Sequence, residues 1–162
     1  MKLIIKNSFL GKHVYDEAGK EVSQISSHVI NPTQTLLLLD QQKTYTSTFQ
    51  RVGKSNTQLQ LFIEEQGKPC LNAEAYTTQT KAYERSIHDL SITDQYNHIY
   101  HLHLNSDTSW QIDDTHDPIG TISKMDAYGN VHLECKCDDL LLLCSFYLFT
   151  RTIMNENEML MV

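Results

Sequence analysis

The sequence predicts a mostly β protein: a closed antiparallel β-barrel of about twelve short strands around a central hydrophobic C-terminal α-helix. Two observations carry this prediction. Hydrophobic residues recur with a period of two in short runs separated by turn residues, which is the pattern of antiparallel strands. One longer apolar run, 140–149, follows those short runs. The alternative is a barrel or sandwich with the helix packed outside.

The chain has 162 residues, a length that suits one domain, and no linker-like stretch divides it. We therefore predict a single domain over residues 1–162. So many strands must close or stack to limit their exposed edges. The predicted strands cover residues 3–9, 13–15, 21–26, 35–39, 44–52, 58–63, 70–76, 81–87, 96–104, 109–112, 119–124 and 130–137.

Three turns share one chemistry, in which an acidic residue stands three positions before a glycine. These turns are 16–19, 64–67 and 126–129. The carboxylate of such a residue can accept hydrogen bonds from the backbone of a type I turn, and the glycine supplies a left-handed conformation. Each of these three segments therefore predicts a hairpin.

The segment from Asp138 onward predicts a helix. Asp138 and Asp139 offer an N-cap, residues 140–149 are apolar on almost every face, and Arg151 suits the last turn. A helix that is apolar all round belongs inside a protein. A buried strand is the alternative, but four consecutive leucines and the length of the run favour the helix.

Charge and apolar runs argue against several partners. Thirteen basic residues stand against twenty acidic ones, for a net charge of −7, and the basic residues are scattered singly. Nucleic acids and anionic lipids such as phosphoinositides require a basic face, so we predict neither. The first residues are apolar over too short a run for a secretory signal, and no run reaches the roughly 20 residues of a membrane span. We expect a cytoplasmic protein without a transmembrane segment.

The four cysteines predict reduced thiols rather than disulfides or a zinc site. Cys135 and Cys137 alternate with polar residues and share the apolar face of their strand, and no second paired-cysteine motif completes a four-thiolate site. Core packing is therefore the favoured role of these two side chains. For a thiol enzyme, Cys70 and Cys144 would be candidates, although Cys144 lies in the apolar helix.

A histidine-rich strand could begin a metal site. By alternation, His98 shares a face with Tyr100, whereas His101 and His103 share the opposite face. Two imidazoles on one face could bind a metal, but no third ligand stands at a motif spacing. A polar, solvated strand face is the favoured interpretation.

The acidic segment 113–118 could hold a hard cation through Asp113, Asp114 and Asp117, with His116 beside them. The calcium-loop spacing is absent, and Pro118 follows directly. A polar turn between two short strands is therefore favoured.

The sequence contains no nucleophile elbow, phosphate loop or dinucleotide fingerprint. It therefore predicts no catalytic residues and no cofactor. A His/Asp metal-dependent or thiol enzyme, drawing on His101, His103 and the carboxylates of the acidic segment, remains the weakest of the functional hypotheses.

Several segments together resemble the tubby C-terminal-like superfamily, which includes phospholipid scramblases and LURP-one-related proteins. The resemblance rests on the early hairpin 14–20, the segments 110–113 and 117–124, the strand ending at Cys137, and the apolar run 140–149. It implies a closed barrel threaded by a central hydrophobic helix. Tubby proteins bind phosphoinositides through basic residues that have no placed counterpart on this acidic chain, so no functional residue is carried over.

These observations predict a non-enzymatic cytoplasmic scaffold or interaction domain with an unidentified protein partner or small ligand. The alternative function is a small-molecule or lipid-binding barrel. That alternative requires the apolar helix to pack outside and leave the interior free for a ligand.

Overall fold

The computed structural model describes residues 1–27, 34–39, 42–53, 58–81, 84–115 and 117–160. These residues form fourteen strands followed by one helix, α1 (Leu140–Leu160). The strands are β1 (Lys2–Ser8), β2 (Gly11–Asp16), β3 (Glu21–Ser27), β4 (Thr35–Leu39), β5 (Lys43–Val52), β6 (Gln58–Glu65), β7 (Lys68–Tyr76), β8 (Thr78–Lys81), β9 (Glu84–Ser86), β10 (Asp89–Asp94), β11 (Ile99–Leu104), β12 (Trp110–Asp114), β13 (Asp117–Ile122) and β14 (Val131–Cys135).

Twelve of these strands close into an antiparallel barrel. The order around the barrel is β1-β14-β13-β12-β11-β10-β7-β6-β5-β4-β3-β2, so almost every strand pairs with its neighbours in sequence. The pairing of β1 with β14 closes the ring and leaves no open edge. β8 and β9 form a separate hairpin between β7 and β10.

Helix α1 fills the interior of the barrel, as the sequence predicted. Every side chain from 142 to 150 is at most 6% exposed, whichever face of the helix it occupies. The helix contacts β4, β7 and β14, which lie on different sides of the ring. Leu143 and Phe146 are fully buried, so the alternative with the helix outside the barrel is wrong.

The N-cap of α1 is also confirmed. The Asp139 carboxylate Oδ1 accepts a hydrogen bond from the Leu142 N–H at 3.1 Å, and its carbonyl accepts one from the Leu143 N–H at 3.0 Å. The predicted end of the helix near Arg151 is wrong, because α1 continues to Leu160. Its last turns have only one buried face, which includes Ile153, so the all-apolar pattern ends before the helix does.

The predicted strand at 81–87 and the long one at 96–104 both need correction. The first falls largely on the β8–β9 hairpin outside the barrel. The second begins only at Ile99, and the barrel strand β10 before it was not predicted. β10 has only two core residues, Leu90 and Ile92, so its alternation is too short to stand out.

All three predicted hairpins are present, and two of them have the predicted turn chemistry. Asp16 Oδ1 accepts hydrogen bonds from the Ala18 and Lys20 N–H groups at 2.9 Å, and Asp126 is bonded in the same way. The turn at 64–67 differs because β6 continues through Glu65. Only Gln66 and Gly67 remain between β6 and β7, with φ of 52° and 78°, as in a two-residue hairpin turn.

The same four-residue turn occurs twice more without a glycine. Asn97 (φ 62°) and Thr108 (φ 68°) hold the left-handed position in the turns that join β10 to β11 and β11 to β12. In both turns the first residue exchanges backbone hydrogen bonds with later residues, as in the glycine turns. A search for the acid-and-glycine pattern therefore missed these two hairpins.

Candidate functional site

Because α1 occupies the interior, the inside of the barrel can open into a cavity only near its ends. We call the end where α1 begins the N-mouth, and the end where α1 leaves the barrel the C-mouth. A cavity of about 310 Å³ lies at the N-mouth. Its lining consists of Lys43, Tyr45, Glu65, Cys70, Leu71, Asp94, Gln95, Tyr96, Tyr100, Cys137, Asp139, Leu141 and Leu142.

Turns and a bulge of the barrel bring these side chains together. The pairing of β6 with β7 shifts register after Ile63, and this shift leaves Cys70 without a directly opposite residue. Such bulges redirect side chains at barrel rims. Asp94 lies at the turn after β10, where its Oδ1 accepts from the Tyr96 and His98 N–H groups at 2.8 and 2.9 Å. The cap residue Asp139 completes the rim of the N-mouth.

Tyr45 is the most informative side chain of the N-mouth. It is 5% exposed and lines the cavity, and its hydroxyl has no hydrogen-bond partner in the described ranges. The hydroxyl oxygen itself is not sealed from solvent, since Ser23 Oγ is the only described side-chain nitrogen or oxygen atom that is buried without a partner. The Tyr45 hydroxyl is therefore available to a ligand that enters the cavity.

The two tyrosines report a negative potential at the N-mouth. Burial raises the pKa of Tyr45, and the carboxylates of Glu65 and Asp139 raise it further. Burial also raises the pKa of Tyr100 to about 12, with added contributions from Cys137 and from the carboxylates around it. Both phenols therefore stay protonated at neutral pH, beside charges that oppose any further negative charge.

Three carboxylates and one ammonium group line the N-mouth. The carboxylates belong to Glu65, Asp94 and Asp139, and the ammonium group belongs to Lys43. The N-terminus of α1 adds roughly half a positive charge, but Asp139 already caps it. Glu65 has no hydrogen bond or ion pair among the described residues. The cavity is consequently acidic and has an unpaired carboxylate.

All four cysteines are free thiols, as predicted. Cys135 is buried, and burial raises the pKa of its thiol. Cys144 is buried inside α1, where burial raises its pKa to about 12, so this thiol does not ionise at neutral pH. Cys70 and Cys137 are half-buried and line the N-mouth. The spacing of these two residues in the sequence had not placed them together.

The histidines of β11 lie on the outer surface of the barrel. His101 and His103 point outward, whereas Tyr100 and Leu102 point inward, as the alternation predicted. His101 Nδ1 lies 3.2 Å from Ser91 Oγ, and His103 Nδ1 is hydrogen-bonded to Asp89. Each imidazole thus has its own partner on β10.

The acidic segment is divided between two paired strands. Asp113 and Asp114 end β12, and Asp117 begins β13, so a turn over 113–118 is wrong in its extent. Asp114 Oδ1 lies 2.7 Å from His98 Nε2, and Asp113 accepts a hydrogen bond from Gln111. His116 lies outside the described residues.

Within the described residues, no three His, Cys, Asp or Glu side chains are grouped closely enough to hold a metal ion. The described ranges also contain no helix with the length and apolarity of a bilayer span.

Sequence reasoning missed the central residues of the N-mouth. Tyr45, Glu65, Asp94 and Tyr100 come from four different strand ends, and only Glu65 lies in a predicted turn, 64–67. Asp94 left a similar signal, since an acid three positions before Asn97 resembles the acid-and-glycine turns. The four residues meet only because the barrel closes.

Comparison with protein-family models, with curated proteins and with solved structures finds no match to the chain. The resemblance to the tubby C-terminal-like superfamily therefore stays a prediction.

Proposed function

We propose that this chain is a non-enzymatic, cytoplasmic interaction domain whose N-mouth binds a Lys or Arg side chain of a partner protein. The observation that supports this proposal most strongly is the Tyr45 hydroxyl, which has no hydrogen-bond partner among the described residues and opens into an acidic cavity. A cationic donor would bond to this hydroxyl and would also be attracted by the carboxylates around it.

The charges of the cavity favour a cation over an anion. The unpaired Glu65 is the acceptor best placed for an ammonium or guanidinium group, because Asp94 and Asp139 already bond to backbone N–H groups. The pKa of Tyr45 and that of Tyr100 are both raised partly by carboxylates, so an entering anion would meet the same unfavourable potential. A cation would instead be attracted by this negative potential and would partly neutralise it.

The filled interior supports a ligand at the surface rather than a carrier function. Leu143 and Phe146 occupy the space that a ligand inside the barrel would need. The N-mouth cavity, at about 310 Å³, is at the small end of the range for ligand pockets. A single side chain of a partner suits this volume better than a bulky lipid does.

The test uses a basic probe peptide, acetylated and amidated, of sequence Lys-Lys-Leu-Phe-Lys-Lys, in isothermal titration calorimetry with the full chain. Tyr45→Phe and Glu65→Gln should each weaken binding about threefold to tenfold, since each removes one hydrogen-bond partner of the cation. Glu17→Gln is the matched control, because it removes the same charge at the same end but outside the cavity. The affinity of the Glu17→Gln variant for the basic peptide should equal that of the unchanged chain.

Three outcomes would contradict the proposal. Equal affinity of the unchanged chain for the basic peptide and for its acidic counterpart, Glu-Asp-Leu-Phe-Glu-Asp, would show that charge at the N-mouth does not select the ligand. Binding of free arginine as tight as that of the basic peptide would point to a small-molecule receptor instead. Turnover of any substrate class in a broad activity screen would overturn the non-enzymatic part.

A further inference from the structure

A second concave site lies at the other end of the barrel. At the C-mouth, a groove of about 260 Å³ runs between α1 and the rims of β12, β13 and β14. Its apolar surface comes from Trp110, Ile122, Tyr147 and Met154. Trp110 is buried among these residues at the inner wall of the groove, so the groove reaches the core of the barrel.

The C-mouth gathers basic side chains. Lys124 and Arg151 line the groove, and Lys12 lies close enough to Arg151 for the two positive charges to repel each other. Burial lowers the pKa of Lys12, and the charge of Arg151 lowers it further. No carboxylate forms a salt bridge with any of these three cations in the described ranges. The acidic side chain of Glu158 also lines the groove, and Asp107 lies close enough to Lys124 for their opposite charges to attract.

Large apolar side chains project from the loops beside the groove. Phe9 is 102% exposed and Leu10 stands next to it at the tip of the β1–β2 hairpin, while Met125 and Tyr128 are exposed in the β13–β14 loop. Asn7 ties the two loops together, since its Nδ2 donates to the Gly129 carbonyl at 2.9 Å. Its Oδ1 accepts a hydrogen bond from Lys12 Nζ. The four apolar side chains thus stand on joined loops beside the cations.

We propose that the C-mouth binds an acidic segment of a partner protein that carries an apolar side chain. Carboxylates of the segment would bond to Arg151 and Lys124, and its apolar side chain would pack against Phe9, Leu10 and Tyr128. Cations that form no salt bridge, beside exposed apolar surface, match an anionic, partly apolar ligand. This site is separate from the N-mouth and selects the opposite charge.

The shape of the C-mouth favours a peptide over a membrane surface. Arg151 is half-buried on α1 within the groove, alongside the buried Trp110. An extended segment can place a side chain into such a groove, whereas a flat bilayer surface contacts mainly the projecting loop tips. A membrane is therefore the competing outcome of the test.

The chain contains a single tryptophan, and this residue lines the groove. The fluorescence of Trp110 should therefore change when the acidic peptide Glu-Asp-Leu-Phe-Glu-Asp is titrated into the full chain, and it should not change with the basic peptide. Arg151→Gln should weaken the binding of the acidic peptide about tenfold, as expected for the loss of a charged hydrogen bond. Lys124→Gln, in an exposed loop, is the second variant and should weaken binding about threefold or more.

Lys20→Gln is the matched control, because it removes one positive charge from an exposed turn at the opposite end of the barrel. It should leave the affinity for the acidic peptide unchanged. An equal loss with this variant would show that net charge alone drives binding, which would overturn the proposed site. No fluorescence change with the acidic peptide, or no loss with either groove variant, would overturn it as well.

Vesicles of phosphatidylcholine and phosphatidylserine in equal parts provide the remaining arm. Sedimentation of the protein with these vesicles, without any response to the acidic peptide, would replace the peptide proposal with a membrane surface. Glu65→Gln serves as a cross-control, since it should weaken the basic peptide and leave the acidic one unaffected. A failure at the C-mouth can thus be told apart from a failure at the N-mouth.

Discussion

The two halves of α1 differ in how they are held. From 142 to 150 the helix is buried on every face by the barrel, and its contacts are almost entirely apolar. From 151 to 160 it has exposed residues such as Asn155 and Met159, and polar side chains attach its buried face. The comparison indicates that apolar filling provides the stability of the fold, whereas specific polar contacts position the helix where it leaves the barrel.

Two polar contacts hold the second half. Glu156, which is 8% exposed, accepts hydrogen bonds from Nε and a terminal nitrogen of Arg51 on β5, at 2.9 and 2.5 Å. The Asn157 side chain accepts from the Ile87 N–H at 2.8 Å and donates to the Ile87 carbonyl at 3.0 Å. The second contact links α1 to the segment that follows the β8–β9 hairpin.

The largest effect should come from the buried half. Leu143→Ala creates a cavity in the centre of the barrel and should lower the free energy of unfolding by about 2–5 kcal/mol. Met159→Ala, on the exposed side of the second half, should change it by less than about 0.5 kcal/mol. Urea denaturation of both variants measures the difference. Similar losses for the two variants would contradict the central placement of residues 142–150.

Alkaline pH should also act through the buried half. The pKa of Cys144 is raised from 9.0 to about 12, so above pH 9 the unfolded chain releases the thiol proton while the folded chain keeps it. Stability should therefore fall as the pH rises from 9 towards 12, by about 1.4 kcal/mol per pH unit for this group. Tyr147, whose pKa is raised from 10.0 to about 12, should add a similar fall above pH 10.

Cys144→Ala separates the contribution of the thiol. This variant should start from a lower stability, because it leaves a small cavity, but its stability should fall much less between pH 9 and 10. Thermal denaturation across this pH range provides the measurement. A slope equal to that of the unchanged chain would mean that Cys144 does not remain protonated in the fold.

The polar attachment of the second half should have a smaller effect. Arg51→Gln leaves the buried carboxylate of Glu156 without its cation and should cost about 1–3 kcal/mol. Arg51 itself is 39% exposed, which places the effect below that of a fully buried pair. Lys2→Gln, which breaks the exposed pair of Lys2 with Glu134, is the control and should leave the urea midpoint unchanged. An unchanged midpoint for Arg51→Gln would show that the contact does not hold α1.

The smallest effects should distinguish the turns at the two ends. Gly19→Ala places a side chain at φ +77° with nothing within 4 Å, so it should cost only the backbone penalty of about 1 kcal/mol. Gly129→Ala, at φ +81°, also places Cβ 2.5 Å from Asn7 Nδ2 and should cost more. Thermal melts compare the two variants. Equal costs would show that the Asn7 side chain can move away from the β13–β14 loop without a loss of stability.

Net charge does not describe how charge is distributed over the surface. The overall −7 predicted neither a nucleic acid nor an anionic lipid as a partner, and many of the acidic residues lie in the turns around the N-mouth. Residues such as Glu17, Glu65, Asp94 and Asp139 lie at that end, and Lys12, Lys124 and Arg151 meet at the other. Composition sums charges over the chain, whereas a ligand responds to the charges within a few ångströms.

The sequence by itself determined the class of the fold, because both of its signals are local. Alternation along each strand decides which residues face inward, and a run of ten residues that is apolar except for Ser145 leaves a helix no stable place except the core. These signals fail where the local pattern is short or is interrupted. β10 was not predicted because it has only two core residues. Two turns were not predicted because Asn97 and Thr108 hold the left-handed position in place of a glycine.

Only the tertiary structure decided where the two candidate sites lie. Closure of the ring by β1 and β14 brings together strand ends that are far apart in sequence, so Tyr45 lies beside a cavity that it shares with Asp139. The end of α1 also depends on tertiary contacts, since Arg51 bonds to Glu156 and the backbone of Ile87 bonds to Asn157. Such contacts depend on distances across the barrel, and no spacing along the chain encodes those distances.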